Sequence, residues 1–443
     1  MKRALSTYIN SAYVRYAQVG KSVFLKIVGA FLAFLWQLIT YRTLGAAAGG
    51  LLAIFQSELR LAGTLAAIGL DRELTLILPR TSRLGSPTQR HEIVGGALTI
   101  GALFGLIAAS VVTIFSHFGS GYVSSPWLIF IGVLSFTWLV IIAGALRGLH
   151  MPLLADIEFT IGPMLISSVG ILLLAASALT SARNCALILV LGQAAVVAMA
   201  CFVLGKAALS GQGYPFFSLR LARIGQLIRG INVPLAICSS ASTLFPDVIL
   251  VTVGYLSSST SAAAFGVAVR YIRLARFVPV SFLHVKEPKL AALMDSEDPS
   301  LIKTEIRIAA RGAFIISFMV LLFLAICSSR LMGIFGRDFT AMTSVFYIVI
   351  VAELVNSISL MPPSVMLMSN RAVQMAVIYL MSYVLGLSCA VFASDRMGGV
   401  GAALGLLVAN SILAVWSASA CRRKVGIKAD MFPGLGFKEG LAS

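Results

Sequence analysis

Apolar residues run along this chain in long, nearly unbroken stretches separated by short polar or basic segments. They show neither the two-residue alternation of a half-buried strand nor the single stripe of a soluble amphipathic helix. About 20 apolar residues cross a bilayer core as a helix, because each rises about 1.5 Å and the core is about 30 Å thick. Such stretches predict twelve spans, at 22–42, 48–70, 93–115, 126–147, 157–179, 185–206, 232–255, 262–285, 310–332, 340–364, 372–394 and 398–420. The second holds Glu58 and Arg60, and the eighth holds Arg270, Arg273 and Arg276. Both are kept, since dropping either leaves apolar stretches unpaired and inverts every later loop.

The connection 206–231 divides these spans six and six. It contains SGQGYPFFSLRLARIGQLIRG, a Gly/Ser start followed by a basic amphipathic stretch with Arg220, Arg223 and Arg229. That pattern predicts an interfacial helix joining two lobes. The expected architecture is an all-α integral membrane protein of about twelve transmembrane helices, in two six-helix lobes around a central cavity. Its parts are an N-terminal lobe 1–208, a linker 209–230, a C-terminal lobe 231–425 and a tail 426–443. TLGAAAGGLLAIFQSELRL (43–61) and SSTSAAAFGVAVRYIRLAR (258–276) form a weak internal repeat, with the same ten-residue spacing from Gly50 to Arg60 and Gly266 to Arg276. Paired halves are a common plan among secondary transporters.

Composition sharpens this picture. Of 443 residues, 59% are hydrophobic and 12% charged, against about 45–50% and about 25% in soluble domains. So little charge excludes a soluble enzyme or a disordered chain. The net charge of +17 would suggest nucleic acid on a soluble protein, but its placement follows a different rule. With the N-terminus in the cytoplasm, the cytoplasmic segments hold 24 of the 34 Lys and Arg residues, the external loops five and the spans five. The positive-inside rule therefore places both termini in the cytoplasm, and no nucleic-acid partner is expected. The first 21 residues are polar and basic and the apolar run after them is long, so no cleavable signal is expected.

The external loops are short, leaving no outer domain to carry an active site. The sequence shows no nucleophile–base pair, Walker A loop or zinc-protease motif. The expectation is a non-enzyme without cofactor or metal. The six cysteines have no paired spacing and the four histidines are scattered. Asp156 and Glu158 are expected at the membrane interface, and small-residue runs such as GGVGAALGLL (398–407) are expected to mark close helix packing.

The cations within the spans carry the functional argument. A charge at the bilayer centre costs at least about 2.5–3.5 kcal/mol, so it should face a cavity or a partner. Arg270, Arg273 and Arg276 recur every three residues and form a drifting stripe on one helix. Two readings fit: a wet, positive cavity that takes an anionic head group, or paired and snorkelling side chains. Reflecting the hairpin about residues 258 and 259 matches Asp247 in depth to Arg270 and predicts an ion pair or close approach of the two; if they pair, Arg273 is left as the freer anion ligand. In the first lobe, Arg60 is the candidate for the cavity, with Glu58 about 200° around the helix facing another helix. Lys26, near the cytoplasmic boundary, fits snorkelling better. Glu353 and Asn356 share a face one turn apart, as a cation or proton coupling site or as helix–helix hydrogen bonding.

Several segments resemble a known family. YRTLGAAAGGLLAIFQ with GLDRELTLILPR (69–80), GALRGLHMPLLADI (144–157), PDVILVTVGYL through FGVAVRYIRLARF to EPKL (246–290), LMGIFGRDF (331–339) and LMSNRAVQMAVI (367–378) are similar to polysaccharide and O-antigen flippases of the Wzx type, in the same order. Those belong to the multidrug/oligosaccharidyl-lipid/polysaccharide exporter (MOP) superfamily. The resemblance implies two six-helix bundles around a V-shaped cavity in a bacterial inner membrane, working by alternating access. The implied substrate is a polyprenyl-pyrophosphate-linked oligosaccharide, carried from inner to outer leaflet within membrane lipid. A coupling ion (H⁺ or Na⁺) or the membrane potential would drive the cycle, and a polysaccharide polymerase is a candidate partner. By position, the pyrophosphate would fall to Arg60, Arg270, Arg273, Arg276 and Lys26. The chain departs from the family pattern in the all-small turn Gly45-Ala46-Ala47-Ala48-Gly49-Gly50 and the Ser/Thr-rich loop 256–261. A MATE-like drug or cation antiporter should have a more acidic cavity, and a glycan polymerase or ligase a large external loop.

Overall fold

The computed structural model describes residues 2–84, 87–118, 125–177, 179–208, 232–294 and 299–425, and every regular element among them is helical. The chain divides into two compact units, Met1–Ala236 and Ile237–Ser443. The predicted linker 209–230 and tail 426–443 lie outside the described residues, as does the side chain of Lys26.

The first unit contains α1 (Lys2–Ala67), α2 (Leu70–Leu84), α3 (Pro87–Phe118), α4 (Pro126–Gly148), α5 (Pro152–Asp156), a π-helical turn (Ile157–Ile161), α6 (Gly162–Ala176) and α7 (Ala182–Ala208). Helix α1 is two helices broken at Gly45, whose φ of 78° and ψ of 177° no L side chain adopts without strain. Four residues later Gly49 packs directly on the Tyr41 ring, where a Cβ would collide. Glycine at 45 and at 49 is thus a steric requirement of this break. Helix α4 forms the centre of the unit. Its Leu128, Ile129 and Val133 pack with Trp36, Phe55 and Leu59 of α1 and Leu189 of α7. Its Ile141, Ile142 and Leu146 join Leu70, Leu74 and Leu78 of α2. Gly144 lets α4 touch the backbone of Asp71 on α2.

The second unit contains α8 (Val233–Leu256), α9 (Ser259–Met294), α10 (Pro299–Phe335), α11 (Arg337–Thr340), α12 (Thr343–Ile358), α13 (Met361–Met368), α14 (Ala372–Met397) and α15 (Gly399–Val425). The small-residue run does mark close packing. Gly386 of α14 lies against Ala409 of α15, and Gly405 against Ala390, so near that a Cβ on either glycine would meet the facing alanine. The span predicted at 340–364 is interrupted at Ser359–Leu360. Pro362 and Pro363 lack the N–H groups that would continue α12, so the chain restarts as α13.

A helix underlies each predicted range, and nine described helical stretches are long and apolar enough to cross a membrane. That standard takes the broken Ile27–Ala67 as one stretch and passes over α9, which holds Arg270, Arg273 and Arg276. Large apolar side chains face outward, such as Leu103, Ile107, Val111 and Ile114 along one stripe of α3. Gln37, Gln56, Glu58, Asp247 and Glu353 are buried. This inversion of the water-soluble pattern fits lipid as the surrounding solvent.

Candidate functional site

The second unit encloses a cavity of about 350 Å³ bounded by α8, α9, α12, α14 and α15. Arg273 and Arg276 of α9 both line it, together with Thr243, Phe245, Glu353, Asn356, Tyr383 and Asn410. The three-residue spacing of the arginines puts them on one helical face, and α9 buries the opposite face. There Tyr271 donates to the carbonyl of Leu331 at 2.8 Å and packs against Phe335 and Phe346. Arg270 is half-buried and is not among the residues lining this cavity.

Asp247 meets Arg273 at 3.0 Å. This corrects the expectation that Arg273 would be the freer arginine, and side-chain direction explains it. Helical Cα–Cβ bonds tilt toward the helix N-terminus. In the antiparallel pair α8–α9 those tilts oppose, so Asp247 leans one way along the pair and the arginines lean back toward it. Asp247 therefore reaches Arg273, about one turn beyond the depth-matched position. Arg273 also donates from Nη2 to the Thr243 carbonyl at 3.3 Å. Asp247 is 2% exposed, so its charge depends on such partners.

Arg276 contacts Oε1 of Glu353 through Nε at 3.1 Å, in place of the snorkelling reading. Asn356 donates from Nδ2 to both Glu353 oxygens, at 3.2 and 3.3 Å. The predicted shared face of Glu353 and Asn356 is thus a bonded pair, held in the last turns of α12 just before its break. Asn410 of α15 donates to the Ala352 carbonyl at 2.9 Å and ties α12 in place. Phe245 and Tyr383 stack with centroids 4.1 Å apart and planes within 5°, forming an aromatic wall. The arginines and the Glu353–Asn356 pair had a helical-spacing signal in the sequence. Tyr383, Phe245 and Asn410 come together through packing of helices distant along the chain.

The two guanidiniums retain donors. Arg276 engages Glu353 through Nε, and Arg273 engages Asp247 and Thr243 through Nη2. A guanidinium has five N–H groups in a planar fork, and these side chains remain 26% and 29% exposed. Such a pair can take an anion bidentately while the carboxylates limit its net charge.

In the first unit, Glu58 is buried and Arg60 half-buried. Asp156 and Glu158, expected at the membrane interface, are packed within the protein, at 3% and 7% exposure. The π turn and Pro163 fold this segment inward against α1, α4 and α7. Asp156 pairs with Arg147 at 3.7 Å.

No protein-family model matches the sequence, and no curated protein matches it. Solved structures do. An inward-facing multidrug resistance MATE family transporter of the MOP superfamily is 13% identical, with a TM-score of 0.71 over 91% of this chain and 98% of its own. An outward-facing conformation of a MATE family transporter of that superfamily gives a TM-score of 0.60 at 13% identity, over 92% and 95%. A MOP superfamily transporter from Pyrococcus furiosus, described as having a binding pocket of reverse polarity that suggests a different function, gives 0.59 at 14% identity, over 92% and 95%. The chain has the MATE transporter fold found in the MOP superfamily.

Proposed function

We propose that this protein moves a polyprenyl-pyrophosphate-linked oligosaccharide from the inner to the outer leaflet of a bacterial inner membrane by alternating access. The observation that carries this reading is the placement of Arg273 and Arg276 together on one cavity, each with guanidinium donors to spare. A pyrophosphate carries several acceptor oxygens and suits the planar fork. On arrival it exchanges with Asp247 and Glu353 for the arginines, so the cations are never left bare in an apolar medium. The polyprenyl tail remains in lipid, and no bond in the substrate is broken. The positive-inside bias supports cytoplasmic termini, and delivery of the glycan to an outer-leaflet polymerase is the natural next step.

A drug or cation antiporter is the second reading. The buried carboxylates Asp247 and Glu353 and the stacked Phe245–Tyr383 wall suit a flat organic cation.

Binding of undecaprenyl pyrophosphate and of ethidium to the purified protein separates the two. On the flippase reading, Arg276→Gln weakens pyrophosphate binding about tenfold or more, or about 1.4 kcal/mol, and Glu353→Gln leaves it measurable. Ethidium binding that is lost in Glu353→Gln, with no measurable pyrophosphate binding to wild type, would overturn it. In cells, Arg273→Gln should abolish surface glycan.

A further inference from the structure

Glu158 is buried in the first unit, 7% exposed, and neither of its carboxyl oxygens has a hydrogen-bond partner. A carboxylate taken out of water costs several kcal/mol unless charge or hydrogen bonds compensate it. Such a residue in the wall of a packed helical unit calls for a ligand. A proton is the one ligand that a single carboxyl holds without further protein donors. No cluster of three or more His, Cys, Asp and Glu that would hold a metal ion occurs among the described residues.

The backbone around Glu158 is irregular in an informative way. It lies in the π turn Ile157–Ile161, where the Gly162 N–H donates to the Ile157 carbonyl, five residues back. Pro163 has no N–H to offer an ordinary α-helical bond. A π turn is an inserted residue within a helix and often marks a functional position.

The elements packed on this turn are α1, α4, α5, α6 and α7. From α4 comes Arg147, the cation that acts on Glu158. From α5 comes Asp156, which holds Arg147 at 3.7 Å, a separation longer than a hydrogen bond. From α7 comes the Cys201 thiol, and α6 has no ionisable residue. From α1, Gly29 lies against Thr160 with no room for a Cβ, one turn after Lys26. Arg147 also acts on Asp71 of α2. Between Arg147 and α5 the chain turns through His150, at φ 62°, a sparsely populated conformation for a residue other than glycine.

We propose that Glu158 is a proton-binding site within the first unit and that Arg147 reads its state. With the proton on, the carboxyl is neutral and Arg147 stays with Asp156. The proton leaves the Glu158 oxygen for water through an O–H bond cleavage that needs no other reactant. The resulting carboxylate then competes with Asp156 for Arg147. The loose Arg147–Asp156 pair and the strained corner at His150 yield first. Contact of Thr160 with Gly29 passes the shift to α1.

An infrared difference spectrum between acid and alkaline pH, on the full-length protein in lipid, tests this without any substrate. Wild type should show a protonated-carboxyl band that vanishes at alkaline pH, and Glu158→Gln should lack it. Glu158→Asp should retain a band. Arg147→Gln should displace the midpoint by about one pH unit, the size expected for loss of a neighbouring charge. Identical difference spectra for wild type and Glu158→Gln, both folded by circular dichroism, would overturn the site. An unmoved midpoint in Arg147→Gln would overturn the role of Arg147. Both outcomes are independent of what the second-unit cavity carries.

Discussion

In the second unit, Arg273, Arg276, Glu353 and Asn356 line one cavity, and together with Asp247 behind it they form contacts of 3.0 to 3.3 Å. In the first unit, Glu158 lies buried with both oxygens lacking hydrogen bonds, and the neighbouring Arg147–Asp156 pair is stretched to 3.7 Å. The two arrangements do different work. Opposite charges in close contact hold their helices in register, and removing one strands the other at high cost. A carboxyl without donors and a loose ion pair beside it lie close in energy to alternatives, which suits an element that changes state. The pairing in one unit is therefore expected to be structural as well as ligand-binding, and its lack in the other to be tolerated by the fold.

The most direct way to break that contrast is to remove a partner. Asp247→Asn strands Arg273 and is expected to cost about 3–5 kcal/mol, read as a lowered thermal midpoint in detergent. The double variant Asp247→Asn/Arg273→Gln should recover most of it, because both charges are then gone. A loss in the single variant below about 1 kcal/mol would mean the pair behaves like a surface salt bridge.

Close helix contacts offer a control, because both units use glycine for them. Gly144→Ala in the first unit drives a Cβ into the Asp71 backbone, and Gly386→Ala in the second drives one into the Ala409 side chain. Each is expected to cost about 1–3 kcal/mol, with Gly144→Ala the larger because backbone yields less than a methyl. If only one unit responds, the two differ in packing as well as in charge. Glu158→Gln should be milder still. It replaces an uncompensated carboxyl with a neutral group of the same shape, and a change within about 1 kcal/mol is expected. A loss as large as that of Asp247→Asn would erase the comparison between the units.

Much of this was legible in the sequence because hydrophobic length and small-residue runs act locally. The break at Gly45 follows the run from Gly45 to Gly50, and the α14–α15 contact follows GGVGAALGLL. The common face of Glu353 and Asn356, and that of Arg273 and Arg276, follow from helical spacing alone. The contact of Asp247 with Arg273 did not follow, because depth-matching along a hairpin ignores the opposed tilts of antiparallel side chains. Burial of Asp156 and Glu158 did not follow either. A carboxyl near a span boundary reads as interfacial until the π turn and three packed helices are known. Pro163, five residues after Glu158, was the available signal that the helix would not be regular.

The smallest expected effect concerns a third acid that shares Arg147. Asp71 lies in the first turn of α2, beneath Gly144, and outside the spans. Burial raises its carboxyl above the ordinary value of 3.8, only partly offset by backbone hydrogen bonds and by the charges of Arg72 and Arg147. An acid whose folded-state value is raised favours the fold in its protonated form. Its contribution is complete below pH 3.8 and is lost as pH rises through the higher folded value. Asp71→Asn retains an acceptor for the backbone N–H groups but cannot ionise. Wild type should therefore lose stability relative to this variant as pH climbs from 3.8, read as diverging thermal midpoints in a pH series. The gap should stay under about 1 kcal/mol, because a helix N-terminus already favours negative charge. Parallel midpoints across the series would mean that Asp71 is as well compensated as the carboxylates of the second unit.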